Sequence, residues 1–351
     1  MSYIKKPVAR HPSLQPNKLG LTVRDYEGSM STLCAGCGHD SITAAIVRAF
    51  YEMDISPHMV AKMSGIGCSS KTPTYFLSGA HGFNSAHGRM PAIATGAAAA
   101  NKQMSLIGVS GDGDSLSIGL GQMCHAIRRN VNMLYVIENN GVYGLTKGQF
   151  SASADVGSKS KRGEPNTQSP IDPVMLALNL GATFVARSFS GDKAQLVPIL
   201  KAGLRHHGFA LVDVISPCVT FNDHEGSTKS YMYTRKHQLP MIEASYVPPA
   251  TEITVDFPAG SATDVKLHDG STVRLRKLAK DYDATDRTKA LAQLYAHQNS
   301  GEIPVGLLYL NEGGTEMHEG AKTVDVPLTS VPYEALCPGS TALDKLQQGY
   351  R

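Results

Sequence analysis

The sequence predicts an α/β fold, a mostly parallel sheet with helices on both faces, and three observations carry that prediction. Short apolar runs alternate with amphipathic helical patterns over residues 40–218, which implies parallel strands joined by crossover helices. The runs end on polar, glycine-bearing turns such as Gly111-Asp112-Gly113 and Asn139-Asn140, as loops at one sheet edge do. Apolar residues make up 42% and charged residues 18% of the 351 residues, with 34 glycines and 19 prolines. That is the composition of a packed globular chain and not of a disordered or coiled one.

Strands are expected at residues 58–63, 104–110, 132–138, 182–188 and 209–216. Helices are expected at 40–52, 91–102, 115–129, 173–180 and 192–206. Beyond about residue 222 the pattern changes: 267–275 reads as a hairpin around Asp269-Gly270, 281–298 as a helix capped by Asp or Thr, and 305–310 as a further strand. This divides the chain into an irregular arm (1–30), an α/β domain (31–235) and a small C-terminal extension (236–351), rich in proline, that packs on the main domain or on a partner. No internal repeat is visible.

The net charge of +3 is spread along the chain, and the run Lys159-Ser160-Lys161-Arg162 reads as a solvated loop, so nucleic acid is not an expected partner. No apolar stretch is long enough to span a bilayer. The first 17 residues lack the apolar centre of a secretory leader. Six cysteines are too few for a disulfide scaffold in a chain of this length. The expectation is a cytoplasmic protein with no membrane partner.

The strongest chemical signal is Gly111-Asp112-Gly113, then 25 residues, then Asn139-Asn140. An apolar run, Leu106-Ile-Gly-Val-Ser, leads straight into the first motif, and Met133-Leu-Tyr-Val-Ile leads into the second. Parallel strands of a βαβ unit end on the same edge, so Asp112 and Asn140 should arrive side by side. One anionic and one neutral oxygen suit Mg²⁺, and a carbonyl just downstream, at Val142, completes the protein's share. Gly113 and Asp114 open the next helix, where N–H groups can face a diphosphate.

Cys34-Ala-Gly-Cys37 precedes the helix near Asp40, Cys68 follows the first strand, and Cys218 follows the strand ending at Ser216. Four thiolates on one edge suit structural Zn²⁺ or [4Fe–4S] equally by count. Position favours iron, because an electron carrier beside the cofactor has a use there. Cys124 reads as core and Cys337 as part of the tail.

From about Leu33 to Thr228 the chain resembles the β subunits of 2-oxoacid:ferredoxin oxidoreductases. The resemblance rests on Cys34-Ala-Gly-Cys37-Gly, Gly65-Ile-Gly-Cys68-Ser, His87-Gly-Arg-Met-Pro91, Gly111-Asp-Gly-Asp114, Asn140-Gly-Val-Tyr-Gly-Leu-Thr-Lys-Gly-Gln149 and Ser216-Pro-Cys218. Ala35 stands where many members have proline, and His39 where they have an acidic residue.

The resemblance implies thiamine diphosphate bound through Mg²⁺ on Asp112, Asn140 and the Val142 carbonyl. It implies cofactor contacts from Ile66, Gly67, Cys68, Ser69, His87, Gly113, Asp114, Gly144 and Leu145, and a [4Fe–4S] cluster on Cys34, Cys37, Cys68 and Cys218. The implied reaction is coenzyme A-dependent oxidative decarboxylation of a 2-oxoacid, with 2-oxoglutarate to succinyl-CoA as first choice and electrons passing to ferredoxin. The implied assembly is αβ or an (αβ)2 heterotetramer, in which the α subunit supplies the pyrimidine-binding domain and its Glu.

Lys71, three residues past Cys68, reads as a solvated lysine from sequence alone, and the resemblance places it on the substrate carboxylate. His87-Gly-Arg89 reads as a diphosphate contact, and Arg89 alternatively holds the partner. Lys147 and Gln149 sit at the substrate entrance. His206-His207 reads as an exposed cation at a helix C-terminus. The alternative function is a non-redox thiamine decarboxylase or carboligase subunit, its cysteines holding zinc or no metal.

Overall fold

The computed structural model describes residues 13–159, 163–242, 261–266, 272–276, 282–298, 300–337 and 339–350, with residues 255 and 258. Its strands are β1 Val60–Ser64, β2 His81–Asn84, β3 Ser105–Gly111, β4 Met133–Asn139, β5 Val142–Tyr143, β6 Gln149–Phe150, β7 Phe184–Phe189, β8 Phe209–Ile215, β9 Gln238–Ile242, β10 Ala262–Lys266, β11 Thr272–Arg276 and β12 Ile303–Leu310. Eight of them form one sheet in the order β2-β1-β3-β4-β8-β7-β12-β9. The first six of that order pair in parallel. β12 runs antiparallel to β7 and carries β9 parallel to itself.

The main helices are α1 Gly38–Glu52, α2 Met90–Ala100, α3 Leu120–Arg128, α4 Pro173–Leu180, α5 Lys193–Arg205, α6 Tyr231–His237 and α7 Arg287–His297. β4 shows why the sheet needs cover on both faces, since all of its residues are buried. Met133, Tyr135 and Ile137 pack to one side with residues of α2, α3, α4 and α7. Leu134 and Val136 pack to the other with residues of α1 and α5, the alternation that a pleated strand imposes. Helix starts follow the sequence: Asp172 caps α4 by accepting from the Val174 and Met175 N–H groups, Pro173 takes the first position, and Gly181 closes it in the left-handed conformation. Among the described residues, four strand positions inside the core carry Lys, Arg, Asp or Glu, namely Lys62, Glu138, Arg187 and Asp213. Lys62 on β1 donates to the Phe76 and Leu77 carbonyls at 2.6 and 2.8 Å, fastening that segment.

The expected helix over 115–129 is broken. Gly113–Ile118 is π-helical, and α3 starts after Gly119. The cause is the loop before α2, whose Gly88 backbone presses on Gly119 (a Cβ there would lie 2.9 Å from Gly88 Cα). Wide turns of this kind favour functional sites. The sheet also runs past residue 235, because β9 and β12 join it. β9 contains Pro240, which an edge strand tolerates because it has no ladder partner on one side. β10 and β11 pair antiparallel, as the hairpin reading requires. Its turn at Asp269-Gly270 lies outside the described residues, as do residues 1–12, Ser160-Lys161-Arg162 and Asp281. No helix among the described residues is long and apolar enough to cross a membrane.

Candidate active site

β1, β3, β4 and β8 run parallel, so the chain leaves Ser64, Gly111, Asn139 and Ile215 at one sheet edge. A cleft opens there. The loop after β1 lines it with Ile66, Gly67, Cys68 and Ser69, and the loop before α2 with His87. The turn after β3 contributes Asp112, Gly113 and Asp114, and the turn after β4 contributes Asn140, Val142, Gly144 and Leu145. Two close approaches shape these walls. A Cβ at Gly65 would lie 1.8 Å from Asp114 Oδ2, and one at Gly113 would lie 2.5 Å from the Tyr143 ring.

Asp112 is 1% exposed. Its Oδ2 accepts from Gly141 N at 3.0 Å, from Ser153 Oγ at 2.6 Å and from Ser151 Oγ. Its Oδ1 has a weaker contact, Asn140 N at 3.3 Å. Donors therefore hold one carboxylate oxygen and leave the other for a ligand. Ser153 Oγ also lies 2.8 Å from Asn139 Oδ1, an alternative acceptor for the same hydroxyl, and Asn139 Nδ2 donates to Asp213 at 3.0 Å. Arg187 then bridges Asp213 and Asp172 at 2.8 and 2.6 Å. The Asp114 carboxylate is turned away from any ligand, accepting from Gly88 N and Ser110 Oγ, both at 2.8 Å.

Beneath the cleft lies a pair that sequence reasoning missed. His39 Nδ1 stands 2.6 Å from Ser216 Oγ and 3.6 Å from Glu138 Oε2. Asn140 Nδ2 donates to His39 Nε2 at 3.5 Å. Burial pushes the imidazole down to about 4, so the ring is neutral near pH 7. Both Glu138 oxygens are buried without a hydrogen-bond partner, because the nearby Thr72 hydroxyl donates to the Ser69 carbonyl at 2.8 Å. Desolvation drives this carboxyl well above its ordinary range. The available signal was a carboxylate continuing an apolar run, Met133-Leu-Tyr-Val-Ile-Glu138.

This arrangement predicts a pH dependence. Folded Glu138 keeps its proton where the unfolded side chain releases it, so stability falls as pH rises above the ordinary carboxylate range of about 4.3. Glu138→Gln is expected to gain stability over wild type as pH rises from about 5 to about 7.5. Thermal melts of the metal-free chain check this. A gap that does not widen with pH would mean that the folded Glu138–His39 pair holds no proton in this range.

The four thiols meet beside the cleft. A Cβ at Gly144 would lie 3.3 Å from Cys68 Sγ and 3.8 Å from Cys218 Sγ. Thr220 Oγ1 donates to Cys34 Sγ at 3.5 Å, and Gly38 N donates to the Pro217 carbonyl at 3.3 Å, tying the Cys34–Cys37 loop to the Cys218 loop. Burial pushes the Cys37 thiol up to about 12, with the neighbouring Glu138 and Cys218 charges adding to it. Cys68 is raised by burial and by Cys218, against a lowering from Lys71. All six cysteines are free thiols. Among the described residues no three His, Cys, Asp or Glu side chains close around one point as they would on a single metal ion. A four-iron cluster makes a different demand, one thiolate per iron around a cube.

Lys71 does not line the cleft. It lies in the 3-10 turn Ser69–Thr74, near Cys68. Arg89, Lys147 and Gln149 are exposed. Cys124 lies on α3 and Cys337 in the exposed tail, away from the four. His206 is not an exposed cation. Its Nε2 bonds Thr183 Oγ1 at 2.7 Å, its ring packs 5.6 Å from Phe184, and burial lowers it to about 4. His207 is the exposed one.

Fold and cleft together define a thiamine diphosphate-binding domain. Residues 62–214 match the family described as thiamine pyrophosphate enzyme, C-terminal TPP binding domain. A "2-oxoacid:ferredoxin oxidoreductase subunit beta" of Saccharolobus solfataricus is 42% identical over 59% of this chain and 67% of its own length. The "2-oxoglutarate synthase subunit KorB" of Methanocaldococcus jannaschii is 34% identical over 54% of this chain and 69% of its own. The "2-oxoglutarate oxidoreductase subunit KorB" of Mycobacterium tuberculosis is 44% identical over 54% of this chain, a match spanning about half (51%) of that relative's length. The solved 2-oxoglutarate:ferredoxin oxidoreductase of Magnetococcus marinus, with 2-oxoglutarate, coenzyme A and succinyl-CoA bound, superposes with a TM-score of 0.71. It is 29% identical, over 88% of this chain and 91% of that one. The chain belongs to the family of 2-oxoacid:ferredoxin oxidoreductase β subunits.

Proposed function

We propose that this chain is the catalytic β subunit of an enzyme that oxidatively decarboxylates a 2-oxoacid, 2-oxoglutarate first, onto coenzyme A and passes the electrons to ferredoxin. One observation carries the reading: Gly144 of the Asp112–Asn140 cleft lies against the Cys68 and Cys218 thiols, and the Cys34–Cys37 loop is bonded to the Cys218 loop. Bound thiamine diphosphate would supply the carbon nucleophile and electron sink for cleaving the bond to the carboxylate, and a [4Fe–4S] cluster would take up the electrons.

This chain's residues hold and orient those groups. Asp112, the Asn140 side chain and the Val142 carbonyl offer hard oxygens suited to Mg²⁺, and Ser151, Ser153 and Gly141 N fix the carboxylate that does so. Ile66, Gly67, Ser69, His87, Gly113, Asp114, Gly144 and Leu145 wall the diphosphate and ring. Lys71 pairs with the substrate carboxylate from the edge of the loop. An α subunit completes the site, in an αβ or (αβ)2 assembly.

The test for the cluster is iron and visible absorption in anaerobically purified protein. Cys34→Ser, Cys37→Ser, Cys68→Ser or Cys218→Ser is expected to lose most of the iron, while Cys124→Ser and Cys337→Ser keep it. A protein holding zinc would return the thiols to a structural role, and iron retained in Cys218→Ser would place the fourth ligand elsewhere. Lys71→Ala is expected to raise KM for the 2-oxoacid roughly 30- to 150-fold, the worth of a charged contact of about 2–3 kcal/mol, with KM for coenzyme A little changed. Steady-state kinetics on the assembled protein decide it. An unchanged KM makes Lys71 a solvated lysine.

A further inference from the structure

We propose that the surface over the Cys34–Cys37 loop is the docking face for an acidic one-electron carrier protein. The inference rests on the reading that the four thiols hold an iron–sulfur cluster, and it names where electrons leave that site. Of those thiols Cys34 is the exposed one, while Cys37, Cys68 and Cys218 are half-buried. A cluster on this set therefore comes nearest to solvent at the Cys34 loop. Electron tunnelling falls off steeply with distance, so a carrier gains most by seating there.

The surface at that point is built in a particular way. Gly36 forms the wall of a shallow depression together with Ser41, Lys193, Tyr231 and Arg235. The Tyr231 hydroxyl donates to the Gly36 carbonyl at 3.0 Å, so the α6 segment rests directly on the cysteine loop. Val219, 37% exposed, lies on the other side of Gly36 (a Cβ there would sit 3.7 Å from its Cγ1). The rim is cationic. Lys193 comes from the first turn of α5, and Arg235 and Lys236 come from the last turn of α6. Arg235 lies over the Tyr231 ring at 5.4 Å. All three cations are exposed, and among the described residues none of them makes an ion pair. Of two nearby carboxylates, the part-buried Asp192 accepts from Gln195 N and the exposed Asp223 accepts from Tyr231 N, so the cations outnumber the one carboxylate exposed beside them. Met232, 78% exposed, adds an apolar contact beside the rim.

A small polar face with exposed cations around a few apolar atoms suits a transient partner, which must bind, take an electron and leave. Complementary charge speeds such encounters and orients them more than it tightens them. Each docking moves one electron: the reduced cluster is oxidised by one and the carrier reduced by one, so a two-electron substrate oxidation needs two dockings.

The experiment is the double substitution Lys193→Glu with Arg235→Glu in the assembled α and β protein, loaded with its cofactors. The probes are an acidic [4Fe–4S] ferredoxin and a small viologen dye. Iron content, visible spectrum and viologen reduction are expected to match wild type. KM for the ferredoxin is expected to rise about tenfold or more, its direct binding in a calorimeter to weaken in step, and the salt dependence of its on-rate to flatten. Unchanged ferredoxin binding and salt dependence in a variant that keeps its iron would overturn the docking face alone. Separation of the subunits on a sizing column would overturn it too, assigning the patch to the α subunit. A wild-type protein without iron would overturn the cluster reading and the docking face with it.

Discussion

Asp112→Ala is expected to weaken thiamine diphosphate binding at fixed Mg²⁺ by a hundredfold or more, about 2.7 kcal/mol. The buried carboxylate is held at Oδ2 by Gly141 N, Ser151 and Ser153, and Oδ1, with only the longer contact to Asn140 N, is the oxygen proposed for Mg²⁺. Removing it takes away the one anionic oxygen that the cleft offers beside the Asn140 amide, and neither serine replaces it as a hard anionic ligand. Asn140→Ala removes the neutral ligand and is expected to act in the same direction. Ser153→Ala leaves both ligands in place but frees the carboxylate to rotate, so roughly a tenfold loss is expected. Calorimetric titration of the cofactor, with and without Mg²⁺, reads all three. Asp112→Ala also strands buried donors on Ser151, Ser153 and Gly141, which costs about 1–3 kcal/mol of stability. A thermal melt therefore has to accompany the titration, and Asp112→Asn is the milder companion. Normal cofactor affinity in a folded Asp112→Ala protein would place the metal elsewhere.

What the sequence reveals here follows from what parallel strands compel. Once Leu106–Ser110 and Met133–Ile137 are taken as neighbouring parallel strands, Asp112 and Asn140 must emerge at the same edge, and the pairing of β3 with β4 puts them there. The same reasoning sets Cys68 and Cys218 at the ends of β1 and β8. Other parts depend on contacts that no local pattern encodes. Ser151 and Ser153 reach back 39 and 41 residues to Asp112 from the loop after β6, and nothing in Ser-Ala-Ser announces a carboxylate clamp. His39 is set by burial against Glu138 and Ser216, although in sequence it is only a polar residue near a helix start. The π-helical turn at Gly113–Ile118 exists because a distant loop presses on Gly119, while its letters fit an ordinary amphipathic helix. β2 consists of four exposed residues, His81 to Asn84, which carry no apolar alternation to detect. β9 was hidden by Pro240, which argues against a strand everywhere except at an edge.

The isolated chain, even with iron in place, is expected to show no 2-oxoacid-dependent dye reduction, and the α subunit is expected to restore it. The described residues build one large sheet with the Asp112–Asn140 cleft at its edge. The residues proposed for Mg²⁺ and the diphosphate lie on that edge, but a thiamine enzyme also needs a carboxylate on the far side of the pyrimidine to start the proton transfer that makes the cofactor reactive. The only carboxylates lining this cleft are Asp112 and Asp114. Asp112 is committed to the metal in this reading, and Asp114 is bonded to Gly88 and Ser110. The surface is consistent with a partner that covers much of the chain. The segment after residue 322 carries Val324, Val326, Tyr333, Leu336, Leu343, Leu346 and Tyr350 with roughly half or more of each exposed, and its last helix, Ser340–Gln348, buries none of its residues. Such a tail has nothing of its own to pack on, and an obligate interface of more than about 2,000 Å² would give it a place. The measurement is viologen reduction by the anaerobically reconstituted chain, with and without the α subunit, alongside sizing of the complex and a truncation after residue 322. Restoration that survives the truncation would free the tail from that role, and full turnover by the chain alone would overturn the shared-site reading.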